Sequence, residues 1–170
     1  MGFFKANFEA GIEKKLSKNV MEILNGNKFS EKILIAFEQL GKSLIKEAKK
    51  RGDYQNRSGG LRKSISAIIM KDNQEYKYIH DDYSTFKVLE QHKDDPTRNN
   101  PTKIMENSHS DILDELKNIN APFKLAVYVG YWYGIYVEIK GYDVITGTVG
   151  IIDKRTEWIL RRYLTKALEK

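Results

Sequence analysis

The 170-residue sequence has no cysteine, so neither disulfides nor thiolate metal sites can carry its fold or chemistry. Its three histidines, His80, His92 and His109, have no spacing that would gather them on one metal ion. There is no glycine-rich phosphate loop and no nucleophile motif. No apolar run approaches the roughly 20 residues of a membrane span. Met1-Gly2-Phe3-Phe4-Lys5 lacks the long apolar core of a signal peptide, so synthesis and folding in a reducing cytoplasm are expected. No cofactor and no metal are expected. Proline occurs only three times, each time next to polar residues or alanine, and marks loops or helix ends.

What is present suits one folded domain. Hydrophobic residues make up 41% of the chain and charged residues 31%, enough for a sizeable core in a single unit spanning 1–170. The formal net charge is +6, and it is unevenly spread. Residues 1–63 hold 14 Lys and Arg against 7 Asp and Glu, and the rest hold 15 against 16. Basicity therefore belongs to the N-terminal part, where it is either a solvated helix face or a surface for nucleic acid or an acidic partner.

Periodicity predicts a helix over 5–24, with Phe8, Ile12, Leu16, Val20 and Ile23 on one stripe, broken at Asn25-Gly26-Asn27. A second helix is expected over 30–51, capped by Ser30, with Ile33, Phe37, Leu40, Leu44 and Ala48 on one face and Gly52 after its end. Ser64 to Met70 reads as a strand and Glu75 to His80 as its hairpin partner, with Asp72-Asn73 in the turn. Residues 91–107 read as a flexible loop, because Gln91 to Thr102 is polar and holds Pro96 and Pro101. Ser110 or Asp111 is expected to cap a short helix carrying Ile112, Leu116 and Ile119, ended by Pro122. Phe123 to Val129 reads as a central strand and Asp143 to Ile152 as another. Asp153 then caps a last helix, with Trp158, Leu160, Tyr163, Leu164 and Leu168 partly buried. The expected class is α+β: a mostly antiparallel sheet with helices packed on one side, long N-terminal helices and a C-terminal helix.

Between the second helix and the first strand lies Gly52-Asp53-Tyr54-Gln55-Asn56-Arg57-Ser58-Gly59-Gly60-Leu61-Arg62-Lys63-Ser64-Ile65. Paired glycines permit positive φ or close backbone approach. Arg57 and Arg62 flank them, each offering a planar fork of donors to a carboxylate or to carbonyls. Further on, Tyr128, Tyr131, Trp132, Tyr133 and Tyr136 cluster in sequence, a composition that fits a core, a stacking surface or a subunit interface.

Two stretches together resemble the tail-completion, or head–tail connector, proteins of tailed bacteriophages. Asn56-Arg57-Ser58-Gly59-Gly60-Leu61-Arg62-Lys63-Ser64-Ile65 is similar to that family's Gly-x-Leu-Arg-x-Ser-Ile signature, which follows a long helix. Tyr133-Gly134-Ile135-Tyr136-Val137-Glu138 resembles its Tyr-Ala-x-Tyr-Val-Glu stretch, with Gly134 where the family usually has alanine. The order and spacing also fit from about Ser30 to the C-terminus, leaving 1–29 as a helical arm before a connector-like core over 30–170.

The resemblance implies a non-enzymatic component of the virion neck. It implies a six-fold or twelve-fold ring of copies, portal-side connector proteins on one side, tail proteins on the other, and genome DNA in the lumen. It implies a short helix at Tyr133–Glu138. It singles out Arg57, Gly59, Leu61, Arg62, Ile65, Tyr133, Tyr136 and Glu138 as motif or subunit-interface residues.

Two alternatives belong to other classes. Glu138-Ile139-Lys140 looks like the Glu-x-Lys half of a Mg²⁺-dependent nuclease site, but its upstream aspartate would have to be Asp111 or Asp114, both within a helical pattern. A basic DNA-binding accessory protein is favoured by charge alone.

Overall fold

A computed structural model describes residues 27–51, 60–83, 86–88, 93–95, 98–131, 134–140 and 144–168. The expected helix over 5–24 lies outside the described residues. Helix α1 (Asn27–Arg51) ends in Lys49, Lys50 and Arg51, whose charge suits the negative end of the helix dipole. It buries Leu34, Ala36, Leu40, Leu44, Ile45 and Ala48. Ser30 is not its cap: the helix already runs from Asn27, and Ser30 is buried within it. The turn α2 (Gly60–Lys63) leads into strand β1 (Ile65–Lys71).

Strand β1 pairs on one side with β2 (Gln74–Ile79) and on the other with β3 (Phe123–Val129), both antiparallel, in the order β2-β1-β3. The continuous run Ile65 to Met70 is buried throughout, as a central strand requires. Strand β3, read from sequence as central, is an edge strand. Its residues are mostly half-buried, and among the described residues it has a strand neighbour on one side only. The β1–β2 hairpin turns on Asp72 and Asn73 at φ 49° and 63°, the left-handed pair that matches strand twist. Tyr76 is an extra residue opposite the Ile69/Met70 step, and this bulge leaves it about half exposed.

Helix α1 covers one face of the sheet. At Gly41 an added Cβ would lie 3.4 Å from Ala67, Ile79 and Leu125 alike, so the helix sits down on all three strands at that point. Helix α5 (Thr146–Leu168) packs against α1, inserting Ile159 among Ala36, Leu40 and Leu44. Arg155 joins the two helices, its guanidinium 2.8 Å from Ser43 Oγ and 3.0 Å from Glu47 Oε2.

Helix α3 (Pro101–Lys117) lies on the opposite face. Its Ile112 and Leu116 pack with Ile68, Met70 and Tyr128. Helices thus cover the sheet on both faces, with the two longest together on one. The short helix α4 (Gly134–Ile139) follows β3, at the position the resemblance implies.

Further sequence expectations are overturned here. Residues 101–107 belong to α3 and not to a flexible loop: Asn100 Oδ1 accepts from Lys103 N at 3.1 Å and Pro101 occupies the first turn, an ordinary helix start. The expected caps Ser110 and Asp111 therefore lie in mid-helix. Residues 146–152 are helical, not a strand, and Asp153 is interior to α5. Trp158 is 61% exposed and outside the core, because Ile159 is the residue of that turn facing α1.

Candidate functional site

The two motif stretches meet in space. In α2, Ser64 N donates to Gly60 O at 2.8 Å and Ser64 Oγ donates to Leu61 O at 2.8 Å, closing one helical turn before β1 begins. That turn drives Leu61 into the core, 1% exposed, beside a fully buried Ile65. Arg62 is half-buried on the same turn. From the other stretch, Gly130 N donates to Ser64 O at 3.0 Å, and Gly134 N donates to Tyr131 O at 3.0 Å as the chain bends into α4.

Gly134 is where the contact is tightest. A Cβ there would lie 2.7 Å from Val129 Cγ1 and 3.4 Å from Leu61 Cδ1, so a larger residue would push α4 away from β3. This close approach gives a physical reason for glycine where the resembled pattern has alanine. Val137 of α4 packs on the same core cluster as Leu61 and Ile65.

Glu138 ends this arrangement. Its Oε1 accepts from Val144 N at 3.0 Å and Ile145 N at 2.6 Å, just before α5 starts at Thr146. A carboxylate on amides at a helix start satisfies donors that have no intrahelical partner and meets the positive end of the dipole. Glu138 thereby ties α4 to the beginning of α5.

Of the residues singled out by sequence, Leu61, Arg62, Ile65 and Glu138 are placed in this one corner, and Tyr136 lies in α4. Leu61 and Ile65 are core residues of the chain itself. Arg57, Gly59 and Tyr133 lie outside the described residues. Lys140, the second half of the nuclease-like triplet, is exposed, as are Asp111 and Asp114 on α3, where Asp114 is 2.8 Å from Lys117 Nζ.

Among the described side chains of the tyrosine-dense stretch, two lie in different clusters. Tyr128 is buried under α3, whereas Tyr131 sits in the main core beside Phe86 with ring centroids 6.0 Å apart. Sequence reasoning missed a different aromatic assembly between β2 and α3. The Tyr78 ring lies between His109, 4.1 Å away and stacked, and His80, 4.4 Å away. His80 stacks in turn on Tyr83 at 4.8 Å.

The hydroxyls of this assembly are chained: Tyr128 donates to Tyr78 at 2.8 Å, Tyr78 bonds Tyr83, and Tyr83 lies 3.4 Å from Ser66 Oγ. His109 Nε2 is 2.8 Å from Glu75 Oε2, linking α3 to β2. Burial pushes the Tyr83 and Tyr128 hydroxyls well above the usual phenol range, so both stay protonated and act as hydrogen-bonding groups, not as bases. The readable signal was Tyr78 and His80 two apart in the expected strand Glu75 to His80, an alternation that places both on one face even though β2 ends at Ile79.

Lys124 adds a buried cation to this side. Its Nζ donates to Leu116 O at 2.8 Å, at the carbonyl end of α3, and to Asn73 Oδ1. Burial lowers its pKa from the ordinary lysine value.

Among the described residues, no group of three or more His, Asp or Glu is placed to hold a metal ion, and no helix is long and apolar enough to cross a membrane. No known protein family matches the chain, no curated protein does so, and neither does any solved structure.

Proposed function

We propose that this chain is a structural component of a tailed-phage neck, one subunit of a ring that joins the head connector to the tail around the DNA channel. The observation that carries the reading is the corner itself. Two stretches some seventy residues apart, Gly60–Ile65 and Gly134–Glu138, pack against each other through Leu61 and Gly134. They are the same two stretches in which the resemblance resides. The core members of the motif support the corner, and Arg62, half-buried on its first turn, is the residue we assign to a head-to-tail contact in which one patch meets a different patch on the next subunit. Rigid support of a charged side chain suits a contact that must repeat identically around a ring. No catalytic role is proposed for Glu138, whose Oε1 is already bound to the backbone amides that open α5.

Quantitative mass spectrometry of purified particles tests this reading. A fixed copy number matching a cyclic ring is expected, with Arg62→Glu lowering incorporation while circular dichroism of the free variant stays unchanged. One copy per particle, or absence from particles, overturns the neck assignment. Incubation with plasmid and Mg²⁺ is a second arm: cleavage that EDTA stops and Glu138→Ala abolishes would replace it with the nuclease reading.

A further inference from the structure

The outer edge of β3 is regular, and among the described residues no strand pairs with it. The bonds Gly130 N to Ser64 O and Asp72 N to Pro122 O flank the β1–β3 ladder, and both join directly opposed residues. Bonded pairs in an antiparallel ladder alternate, so Lys124, Ala126 and Tyr128 turn their backbone groups toward β1. Phe123, Leu125, Val127 and Val129 turn theirs outward, where no other strand pairs with them among the described residues.

Natural sheet edges are usually guarded by a bulge, a proline or projecting charge. Strand β2, the other edge, has a bulge at Tyr76 and carries Glu75 and Lys77. Strand β3 has no register shift against β1 and no proline. Its one charge, Lys124, is 4% exposed and held at the end of α3.

We infer that the β3 edge is a strand-pairing site and that its occupant is β3 of a second copy of this chain, antiparallel about a two-fold axis through Ala126. The strand is self-complementary in that register. Phe123 falls opposite Val129 of the second copy and Leu125 opposite Val127, so every outward N–H donates to a C=O of the other copy and each pair exchanges two bonds. Leu125 and Val127 present apolar side chains to each other, and no like charges are opposed. Ala126 meets Ala126 in a non-bonded pair, where Cα atoms approach to about 4.5 Å and a small side chain fits best. The result is a continuous sheet, β2-β1-β3 running into its two-fold copy. This pairing is isologous and belongs to the free chain. It is separate from the head-to-tail contact proposed for the ring, and either can fail without the other.

The absence of native cysteine makes the test clean. In Ala126→Cys the two introduced thiols sit opposite each other at a separation a disulfide can span. Sedimentation equilibrium of the unmodified chain at about 100 μM, far above typical protein dissociation constants, is expected to give twice the 19.7 kDa chain mass. Mild oxidation is expected to convert Ala126→Cys to a covalent dimer, while Thr165→Cys, on an exposed position of α5, stays monomeric. Val127→Pro, which removes one outward N–H, is expected to return the mass to one chain with the helical circular dichroism retained. A monomer at that concentration with no cross-link through position 126 overturns the proposal. So does a dimer that survives Val127→Pro without cross-linking at 126, because its contact would then lie elsewhere.

Discussion

The two faces of the sheet are closed by different chemistry. On the α1 face, Leu40, Leu44, Ala36 and Ile159 interdigitate over Leu125 and Val127, and polar contacts such as Arg155 to Ser43 and Glu47 stay at the margin. On the α3 face, aliphatic packing by Ile68, Met70, Ile112 and Leu116 shares the space with Tyr78, Tyr83, Tyr128, Ser66 and His109. The first face is held by area removed from water, which does not depend on direction. The second depends on hydroxyl geometry, so it fixes where α3 sits at the cost of needing every buried partner satisfied. Helix α3 begins after the polar segment around Asn99 and is joined to the sheet through side chains rather than through a second helix layer.

Substitutions should therefore act differently on the two faces. The largest effect is expected from Leu44→Ala, which opens a cavity between α1 and α5 and should cost about 2–5 kcal/mol in chemical denaturation. A loss under 1 kcal/mol would mean that α5 closes onto α1 without difficulty. On the other face, Tyr128→Phe keeps the ring and removes the hydroxyl that donates to Tyr78, so a smaller cost of about 1 kcal/mol is expected. A cost equal to that of Leu44→Ala would erase the distinction between the faces.

The third prediction concerns pH. Lys42 and then Lys77 hold the Glu38 carboxyl below its ordinary value of 4.5, and Lys77 ties α1 to β2. A carboxylate depressed in the fold contributes stability that is complete above the unfolded value and fades as pH falls through the folded one. The gap between the unmodified chain and Glu38→Gln should be under about 1 kcal/mol at neutral pH and shrink below pH 4.5. A gap that widens in acid would reverse the sign.

The smallest effect is expected from Gly41→Ala. Its methyl would meet Ala67, Ile79 and Leu125 at 3.4 Å, in contact but without overlap, and a helix interior prefers alanine. A gain of about 0.5 kcal/mol is expected. A loss would show that α1 is already in full contact with the strands.

The sheet was readable for plain reasons. An unbroken apolar run marked β1, and a turn-forming pair marked the hairpin between β1 and β2. The start of α3 is less plain because Pro101 reads as a breaker, although Asn100-Pro101 also spells a cap followed by the one helix position that suits proline. The run from Val144 to Ile152 is rich in β-branched residues and reads as a strand. Yet among the described residues of α5 the buried ones are Thr148, Thr156 and Ile159, a spacing of eight and three that suits one helix face, and Ile159 packs on α1. At the candidate site, the presence of both motif stretches was legible, and so was the glycine at 134. The bond from Glu138 to the amides before α5 was not, since it rests on a turn between elements that local pattern does not encode. The stacking of His109 on Tyr78 was hidden for the same reason, as it joins an α3 residue to a β2 residue.

The central claim, that the corner formed by Leu61, Arg62, Gly134 and Glu138 positions a contact between identical subunits in a phage neck, is tested most directly by cryo-electron microscopy of intact particles containing this chain. The account predicts a cyclic ring of copies between the head connector and the tail, with Arg62 at each boundary between neighbours. A ring whose boundaries all lie far from Arg62, or a neck without this chain, would contradict it.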